Sequence, residues 1–420
     1  MHYGALIPVA ISGHANGRHK ISAAVTEWLK QTTSTCSSRV PDARPRRVTV
    51  LVNVEGNNRG CYDNFTKNAL PLLNLAGLHV DVIKSDNVAQ LEALAGALDH
   101  DEADAIYLVG GDGTIHTVVT GVLRNRDEAV LPIGIYPGGY DNTFLKRILS
   151  PMVYDCTKDV RCACESAMAL IEDHRKSLAA FKISEVDSDQ KPEYGVGDVS
   201  AGWFRQIEDK RKKMWYFGSA RRRWAYFWEM LKRGPEDMVV NLEYEVACEG
   251  CEKCRPLVVI PPPAWRWWHA LSGRPRFVEP EVKPKDFTGI VNEACGQVKS
   301  ETKSGTELLI ENQPLEEWSK LNVRVGGSNI GRTGVVSEGW DRCSADHVGS
   351  SLKDNFYSDN ILTRSLKMTF ISIPEYINRL YFGSNPTSED ATSKTWKIEA
   401  TNKRIDVFLP QSLRVNVDAL

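Results

Sequence analysis

The chain has 420 residues, 42% of them apolar and 25% charged, with a formal net charge of −2. That is the make-up of an ordinary soluble globular protein long enough for two domains, and the near-neutral charge exerts no overall pull toward nucleic acid or membrane, so any such partner must be met by a local patch; with no recognisable reader fold, nucleic acid is not an expected partner. No stretch reaches the roughly 18 uncharged apolar residues of a membrane-spanning helix, so any work at a membrane is expected from its surface, as a peripheral protein.

In chain order, residues 1–46 read as a leader. The first 47 residues hold seven Lys/Arg (Arg18, Lys20, Lys30, Arg39, Arg44, Arg46, Arg47) against two acids, Glu27 and Asp42, and are rich in Ser and Thr. A basic, hydroxyl-rich, acid-poor start matches a mitochondrial targeting segment, with a disordered tail as the plain alternative. Arg47 to Asn53 then reads as a first strand, followed by a Gly/Asn loop from Glu55 to Gly60. Phe65, Ala69, Leu72 and Leu73 fall at helical spacing. Leu78 to Ile83 alternates as a strand, and Ala89 to Leu98 reads as a helix.

The most informative stretch follows. Ala105-Ile106-Tyr107-Leu108-Val109 is an apolar run that ends in Gly110-Gly111-Asp112-Gly113-Thr114, and Ile115 to Leu123 reads as the next helix. Glycines let a backbone approach an anion, and the amides of a helix starting near Thr114 point their positive end at the same place. Asp112 then sits where a metal–phosphate complex would lie. An ordinary strand-to-helix turn also uses Gly and Asp, but the strand before and the helix after favour the nucleotide reading. Leu131 to Tyr136 is a fourth strand, and Pro137-Gly138-Gly139-Tyr140-Asp141-Asn142 opens another helix. Strands alternating with helices predict a parallel doubly wound α/β sheet over 47–178, whose ligands bind at the carboxyl ends of the strands. Three loops after strands, all bearing glycine or asparagine, would share that edge.

From about Phe181 the texture becomes short alternating runs: Phe181–Ile183, Val239–Tyr244, Leu308–Ile310, Leu321–Val325, Met368–Ile373 and Ile405–Leu409. These predict a mostly β, sandwich-like second domain over 179–420. Residues 203–233 interleave Arg205, Lys210, Arg211, Lys212, Lys213, Arg221, Arg222 and Arg223 with Trp215, Tyr216, Phe217, Trp224, Tyr226, Phe227 and Trp228. Ala220, Trp224, Phe227, Trp228 and Leu231 share one helical face beside the arginines. Rings beside cations suit a membrane interface with anionic headgroups, the plain alternative being a helix packed on the β domain with a solvated basic face. The Pro-rich stretch Pro256 to Ser304 reads as an insertion. It carries Trp265, Trp267 and Trp268, which with Arg221 and Arg222 are the candidate membrane contacts. Ten cysteines in a chain of this length do not form a disulfide-scaffold pattern. Cys248, Cys251 and Cys254 form a CxxCxxC run that, with a fourth ligand such as Cys295, is a candidate zinc site, though it lacks the usual two separated pairs.

With these motifs in place the chain resembles the diacylglycerol/sphingosine lipid kinase family, and within it the mitochondrial acylglycerol kinases. The likeness runs from about Val48 to Lys232 and is sharpest at Val109 to Thr114, continued by Val118 to Arg124 and Asp127 to Ala129. Leu51 to Asn53, Lys67 to Ala69 and Trp215-Tyr216 with Gly218 also match. The resemblance implies a fold shared with NAD kinases, which carry the same GGDGT, and transfer of the ATP γ-phosphate to monoacylglycerol or diacylglycerol. It implies ATP and Mg2+ as cofactors. Asn53, Gly110, Gly111, Asp112, Gly113, Thr114, Gly139 and Asn142 would be nucleotide-binding, with Asp112 also catalytic and next to the metal. It further implies a mitochondrial inner-membrane or intermembrane-space setting, where the acylglycerol kinase member also serves as a structural part of the carrier-protein translocase, with a membrane-associated place in the cytoplasm as the alternative.

Four positions depart from the family pattern. Val54 follows Asn53 where the family has proline, and Thr117 stands where a glutamate usually follows GGDGT. Gly139-Tyr140-Asp141-Asn142-Thr143 replaces a GTGND-like loop, with two bulkier residues. Glu399-Ala400-Thr401 is the best counterpart of a C-terminal Asp-Gly-Glu, which makes Glu399 the second catalytic candidate. Loss of acids at Thr117 and Thr401 leaves a second expectation, a catalytically impaired relative acting as an import scaffold.

Overall fold

Apolar residues at every position of Ala105–Val109, and at all but Thr49 of Val48–Val52, make strands that must be covered on both faces, and the computed structural model builds that arrangement around them. It describes residues 45–410 except 57–59, 125–129, 140–141, 150–159, 187, 255–286, 288, 317–318, 345–352, 354 and 388–389. The leader up to residue 44, Tyr140, Asp141 and the cluster Trp265, Trp267 and Trp268 lie outside the described residues.

The four expected N-terminal strands form: β1 (Arg47–Asn53), β2 (His79–Ser85), β3 (Ala105–Gly110) and β4 (Ile133–Pro137). All pair in parallel, β1 with β2 and β3, and β3 with β4. Helices α1 (Cys61–Asn68), α2 (Leu70–Leu75), α3 (Val88–Ala97) and α4 (Asp112–Arg124) make the crossovers, and α5 (Thr143–Ile148) and α6 (Val160–Ile171) follow β4. Successive side chains of β3 enter opposite cores. Ile106 and Leu108 join Leu51, Leu91, Val118 and Ile135, while Tyr107 and Val109 join Val50, Phe65, Leu72 and Ala167. Two covered faces explain why these strands read as continuous apolar runs and not as alternating ones.

The rest of the chain is β-rich. Its strands are β5 (Arg175–Glu185), β6 (Glu193–Gly195), β7 (Asp198–Gly202), β8 (Met238–Val246), β9 (Val298–Gly305), β10 (Glu307–Asn312), β11 (Leu321–Gly326), β12 (Tyr357–Ser372), β13 (Leu380–Phe382), β14 (Asn385–Pro386) and β15 (Thr395–Phe408). Antiparallel pairing runs β14-β13-β7-β10-β11-β12-β15, with β8 and β9 continuing from β12. Near Thr363 strand β12 changes neighbours, from β11 to the pair β8 and β15. The two halves enclose a single core of Phe181, Val240, Leu308, Val323, Leu366 and Ile398, as a sandwich does. Residues 298–305, expected within the insertion, are strand β9.

The two parts share backbone. Val407 and Phe408 at the end of β15 pair in parallel with Ile133 and Gly134, so the last strand of the chain returns to the N-terminal sheet. Strand β5 accompanies β15 along this path, and the expected border at 178/179 falls inside β5. The register shifts between Ala400 and Arg404, where β15 passes from one part to the other.

Helices α7 (Trp203–Lys210), α8 (Arg221–Lys232) and α9 (Arg332–Ser344) cover the second sheet through a buried ionic network. Arg342 donates to both carboxylate oxygens of Glu307 at 2.9 and 2.8 Å and to Glu338 at 2.9 Å, with the Phe204 ring 4.3 Å from its guanidinium carbon. Burial alone would depress the Arg342 pKa, but the Glu307 carboxylate outweighs it and holds the guanidinium well above its ordinary value. Glu208 accepts from Arg222 at 2.7 Å and from the Tyr226 hydroxyl at 2.5 Å, and pairs with Arg211 at 2.8 Å. Replacing Arg342 with Met leaves Glu307 buried without a cation and Glu338 with only Lys353 at 3.4 Å. We expect Arg342→Met to destabilise the protein by about 3–5 kcal/mol, read as a lowered urea midpoint, whereas Lys367→Met at a solvated ion pair changes it little.

Candidate active site

Strand β3 ends at Gly110 and α4 begins two residues later at Asp112, so the turn between them has no room for side chains. A Cβ on Gly111 would lie 2.9 Å from the Gly139 Cα, and one on Gly139 would lie 2.4 Å from the Gly111 Cα. The loops after β3 and β4 therefore touch backbone to backbone, and any side chain at either point pries them apart. A Cβ on Gly110 would meet the Thr114 side chain at 2.5 Å.

Polar side chains lock the same edge. The Asn53 Nδ2 donates to Thr114 Oγ1 at 3.0 Å, tying the end of β1 to α4. Asn142 occupies the left-handed region at φ +50°; its Oδ1 accepts from the Gly139 amide at 3.0 Å and its Nδ2 donates to the Pro137 and Gly139 carbonyls. Asn is among the few residues that tolerate this backbone. Asp112 is buried, and its two oxygens accept the Thr143 amide at 2.8 Å and the Phe144 amide at 3.1 Å. Its carboxylate thus caps the first turn of α5 while standing at the first turn of α4, a position that favours negative charge. Asn53, Gly110, Gly111, Asp112, Gly113, Thr114, Gly139 and Asn142 are brought together at the carboxyl ends of β1, β3 and β4. Beside them, burial pushes the Cys61 thiol up to about 12, so it is not a nucleophile near neutral pH.

Gly113 has another reason to be glycine. A Cβ there would lie 2.1 Å from Asn385 Oδ1, and the Asn385 Nδ2 donates to the Gly113 carbonyl at 2.9 Å and to Thr117 Oγ1 at 3.3 Å. The hairpin β13–β14 of the second part thus docks on the first turn of α4. Two openings flank this joint. One is a narrow polar crevice where Asp112 and Thr143 face Asp198, Ser200, Arg205 and Glu307. The other is a cleft of about 270 Å³ that includes His116, Thr117 and Thr120 of α4 and Glu185 and Lys394. His116 Nε2 lies 2.9 Å from Glu193 Oε2, and its ring packs 5.4 Å from that of Phe382. Asn385, Asp198 and the His116–Glu193 pair carry no local motif; only the return of distant strands brings them to α4.

Two expected site residues stand elsewhere. Glu399 lies in mid-β15 between β12 and β5, paired with Lys397 at 2.6 Å, and lines neither opening. Strand pairing on both sides fixes that place, and the Thr401 hydroxyl nearby is given to the Ala180 carbonyl. Arg222 is no surface contact: its side chain turns inward to Glu208 and the Arg342 carbonyl. Arg221 is half-buried. Cys248, Cys251 and Cys254 gather with Cys295 beyond the end of β8, apart from both openings.

Comparison with known proteins places the chain among kinases that act on lipids. Residues 47–176 match the family described as the diacylglycerol kinase catalytic domain. The chain is 56% identical over 379 residues to an uncharacterised protein of Caenorhabditis elegans, covering 90% of this chain and 86% of that one. It is 29% identical over 207 residues to the mitochondrial acylglycerol kinase of Mus musculus, covering 49% of this chain and 47% of that protein, so the match takes in about half of that relative. A crystal structure of a diacylglycerol kinase from Bacillus anthracis shares the fold, with a TM-score of 0.51 at 12% identity over 88% of this chain and 98% of that one. The chain belongs to the lipid kinase family that carries the diacylglycerol kinase catalytic domain.

The loop contact yields a direct check. Gly139→Ala forces a Cβ against unyielding backbone and is expected to destabilise by about 1–3 kcal/mol, while Gly197→Ala, with open space at its Cβ position, should stay within about 0.5 kcal/mol of wild type in urea unfolding.

Proposed function

We propose that the protein is an ATP-dependent acylglycerol kinase that transfers the γ-phosphoryl group to a hydroxyl of monoacylglycerol or diacylglycerol, giving lysophosphatidic or phosphatidic acid. The observation that carries this is the crevice where Asp112, at the head of α4, faces Asp198 from the second part. ATP suits the edge beside it: the glycine turn and the α4 amides offer donors to phosphate oxygens without competing side chains. Mg2+ would be held by Asp112 and Asp198, the acids at the crevice, and would neutralise charge on the phosphates. Asp112 is oriented by the Thr143 and Phe144 amides, and accepts the proton of the lipid hydroxyl. Asp198 takes the second acidic role first expected of Glu399. Arg205 and Thr143, lining the same crevice, position the acceptor and the phosphate.

Lipid acceptors arrive from a bilayer, and the second part carries a face suited to one. Trp215 and Tyr216 are 71% and 64% exposed, and ring contacts run from Trp215 through Tyr216, Phe217 and Trp224 to Trp228. Helix α8 turns Arg222, Ala225, Tyr226 and Glu229 inward, which leaves Trp224, Trp228 and Leu231 outward. Lys213, Arg223, Lys232 and Arg233 of the same segment are exposed, Lys232 lying 5.3 Å from the Trp228 ring. This face is the membrane contact, and the basic leader together with the mitochondrial acylglycerol kinases among the relatives supports a mitochondrial membrane as its place. No helix among the described residues is long and apolar enough to cross a membrane.

A second reading, an impaired relative acting as a scaffold at the inner-membrane translocase, draws on one observation. The Thr117 hydroxyl, where the family carries an acid, is spent on the Gly113 carbonyl at 3.1 Å and Asn385 at 3.3 Å.

Phosphate transfer from labelled ATP–Mg to monoacylglycerol, diacylglycerol and sphingosine in mixed micelles separates the two. We expect transfer to an acylglycerol, falling by about 10²-fold or more in Asp112→Asn and also dropping in Asp198→Asn; a folded wild type that transfers nothing supports the scaffold. NADP formation from NAD under the same conditions would instead make it an NAD kinase. For the membrane face, Trp215→Ala with Trp228→Ala should cut co-sedimentation with phosphatidic-acid-containing vesicles severalfold, and added salt should weaken what remains. Unchanged sedimentation removes that face from the membrane.

A further inference from the structure

We propose that Cys248, Cys251, Cys254 and Cys295 bind one structural zinc ion that closes the neck of the connection between β8 and β9. This inference stands apart from the kinase reading, because none of the four lines either opening at α4. The sulfurs of the four all lie within 4.8 Å of one another, and those of Cys251 and Cys254 are 3.5 Å apart. A tetrahedral zinc with Zn–S bonds of about 2.3 Å places its sulfurs about 3.8 Å apart. Four thiols converging on one point fit that geometry, whereas a redox-active pair needs only two.

The chain approaches the cluster from both sides. Three cysteines follow the last residues of β8, and Cys295 precedes the first residue of β9, whose Val298 pairs with Glu245. Residues from remote sequence are thus held together at the end of a hairpin, with 255–294 between them. The surroundings suit thiolates. Asn292 Nδ2 donates to Cys248 Sγ at 3.3 Å. Lys253 Nζ donates to the Cys295 carbonyl at 3.0 Å, and Arg364 Nη2 to the Cys248 carbonyl at 3.2 Å. Four thiolates around one divalent ion leave two negative charges, which these two cations offset. Cys248, Cys251 and Cys295 are buried, which keeps the donors from solvent and oxidants. Loading the site exchanges the thiol protons to solvent for the metal; no electron moves. The ion's work is mechanical: it cross-links the two ends of a long connection, as a closed four-sulfur site does when no position is left open for water.

The test is elemental analysis of the full chain purified without chelator. We expect one zinc per chain, lost in Cys295→Ser and retained in Cys343→Ser, whose thiol lies outside the cluster. Mercurial titration of the wild type should release that zinc, and hydrogen exchange should then rise at the paired ends of β8 and β9 while β1 and β3 stay protected. A folded wild type without zinc overturns the proposal, whether its thiols titrate as free or as disulfides, and so does iron in place of zinc. Zinc that persists in Cys295→Ser removes this set of ligands.

Discussion

Two backbones meet without side chains where Gly111 faces Gly139, and the shape of the whole site follows from that contact. Because neither glycine can carry a Cβ, the turns after β3 and β4 lie in one plane at the edge of the parallel sheet. That closeness lets the Asp112 carboxylate reach the amides of Thr143 and Phe144, and it lets Asn142 hold the Gly139 amide from a left-handed backbone. One carboxylate then serves two helices. It stands in the first turn of α4, whose amides favour negative charge, and it satisfies donors of α5 that have no partner within their own helix. A capping carboxylate is held in one orientation, which is what phosphoryl transfer asks of its acids, since positioning and charge neutralisation supply most of the rate.

The second constraint is that the two parts are not beads on a string. Strands β5 and β15 run through both, and β15 closes the N-terminal sheet beside β4. Asn385 adds a polar rivet from the other side, reaching the Gly113 carbonyl. The crevice at Asp112 is therefore built jointly: Thr143 comes from the parallel sheet, Asp198 and Ser200 from β7, and Glu307 and Arg342 from the ionic network beneath α7 and α9. In that network each of Glu307, Glu338 and Glu208 has a cation within salt-bridge distance, so its charge under the crevice is offset from within.

Much of this was legible in the sequence, for reasons that are local. Strands covered on two faces are mostly apolar, so β1 and β3 announce themselves, and the strand before and the helix after mark the glycine turn between them. The outward aromatic face of α8 follows from the helical spacing of Trp224, Trp228 and Leu231. What escaped is long-range. Strands β12 and β15 are longer than their apolar stretches because much of each is only half-buried, and half-buried strands accept Lys, Asn and Thr without a readable period. Arg222 and Arg223 are neighbours in the same run, yet one is buried against Glu208 and the other lies at the surface; only the register of α8 against α7 and α9 separates them. Glu399 was expected by position near the C-terminus, but β15 enters the sheet with that residue flanked by β12 and β5. The acids that share the crevice with Asp112 are Asp198, Glu208 and Glu307, the nearest of them in sequence more than eighty residues along the chain from it.

Gly113 shows why motif and mechanism should be kept distinct. In sequence it reads as a third glycine for phosphate, yet its missing Cβ is occupied by Asn385, a side chain that belongs to the second part. The first turn of α4 therefore has neighbours on two sides, Asn53 and Gly139 on one and β14 on the other. The β14 side ties β13–β14 to the residue before Gly113, since Gly383 also packs on Asp112 and donates its amide to the Asp198 carbonyl at 2.8 Å. Gly383 thus touches the main chain of both Asp112 and Asp198, so the hairpin ties those two positions together through backbone contacts.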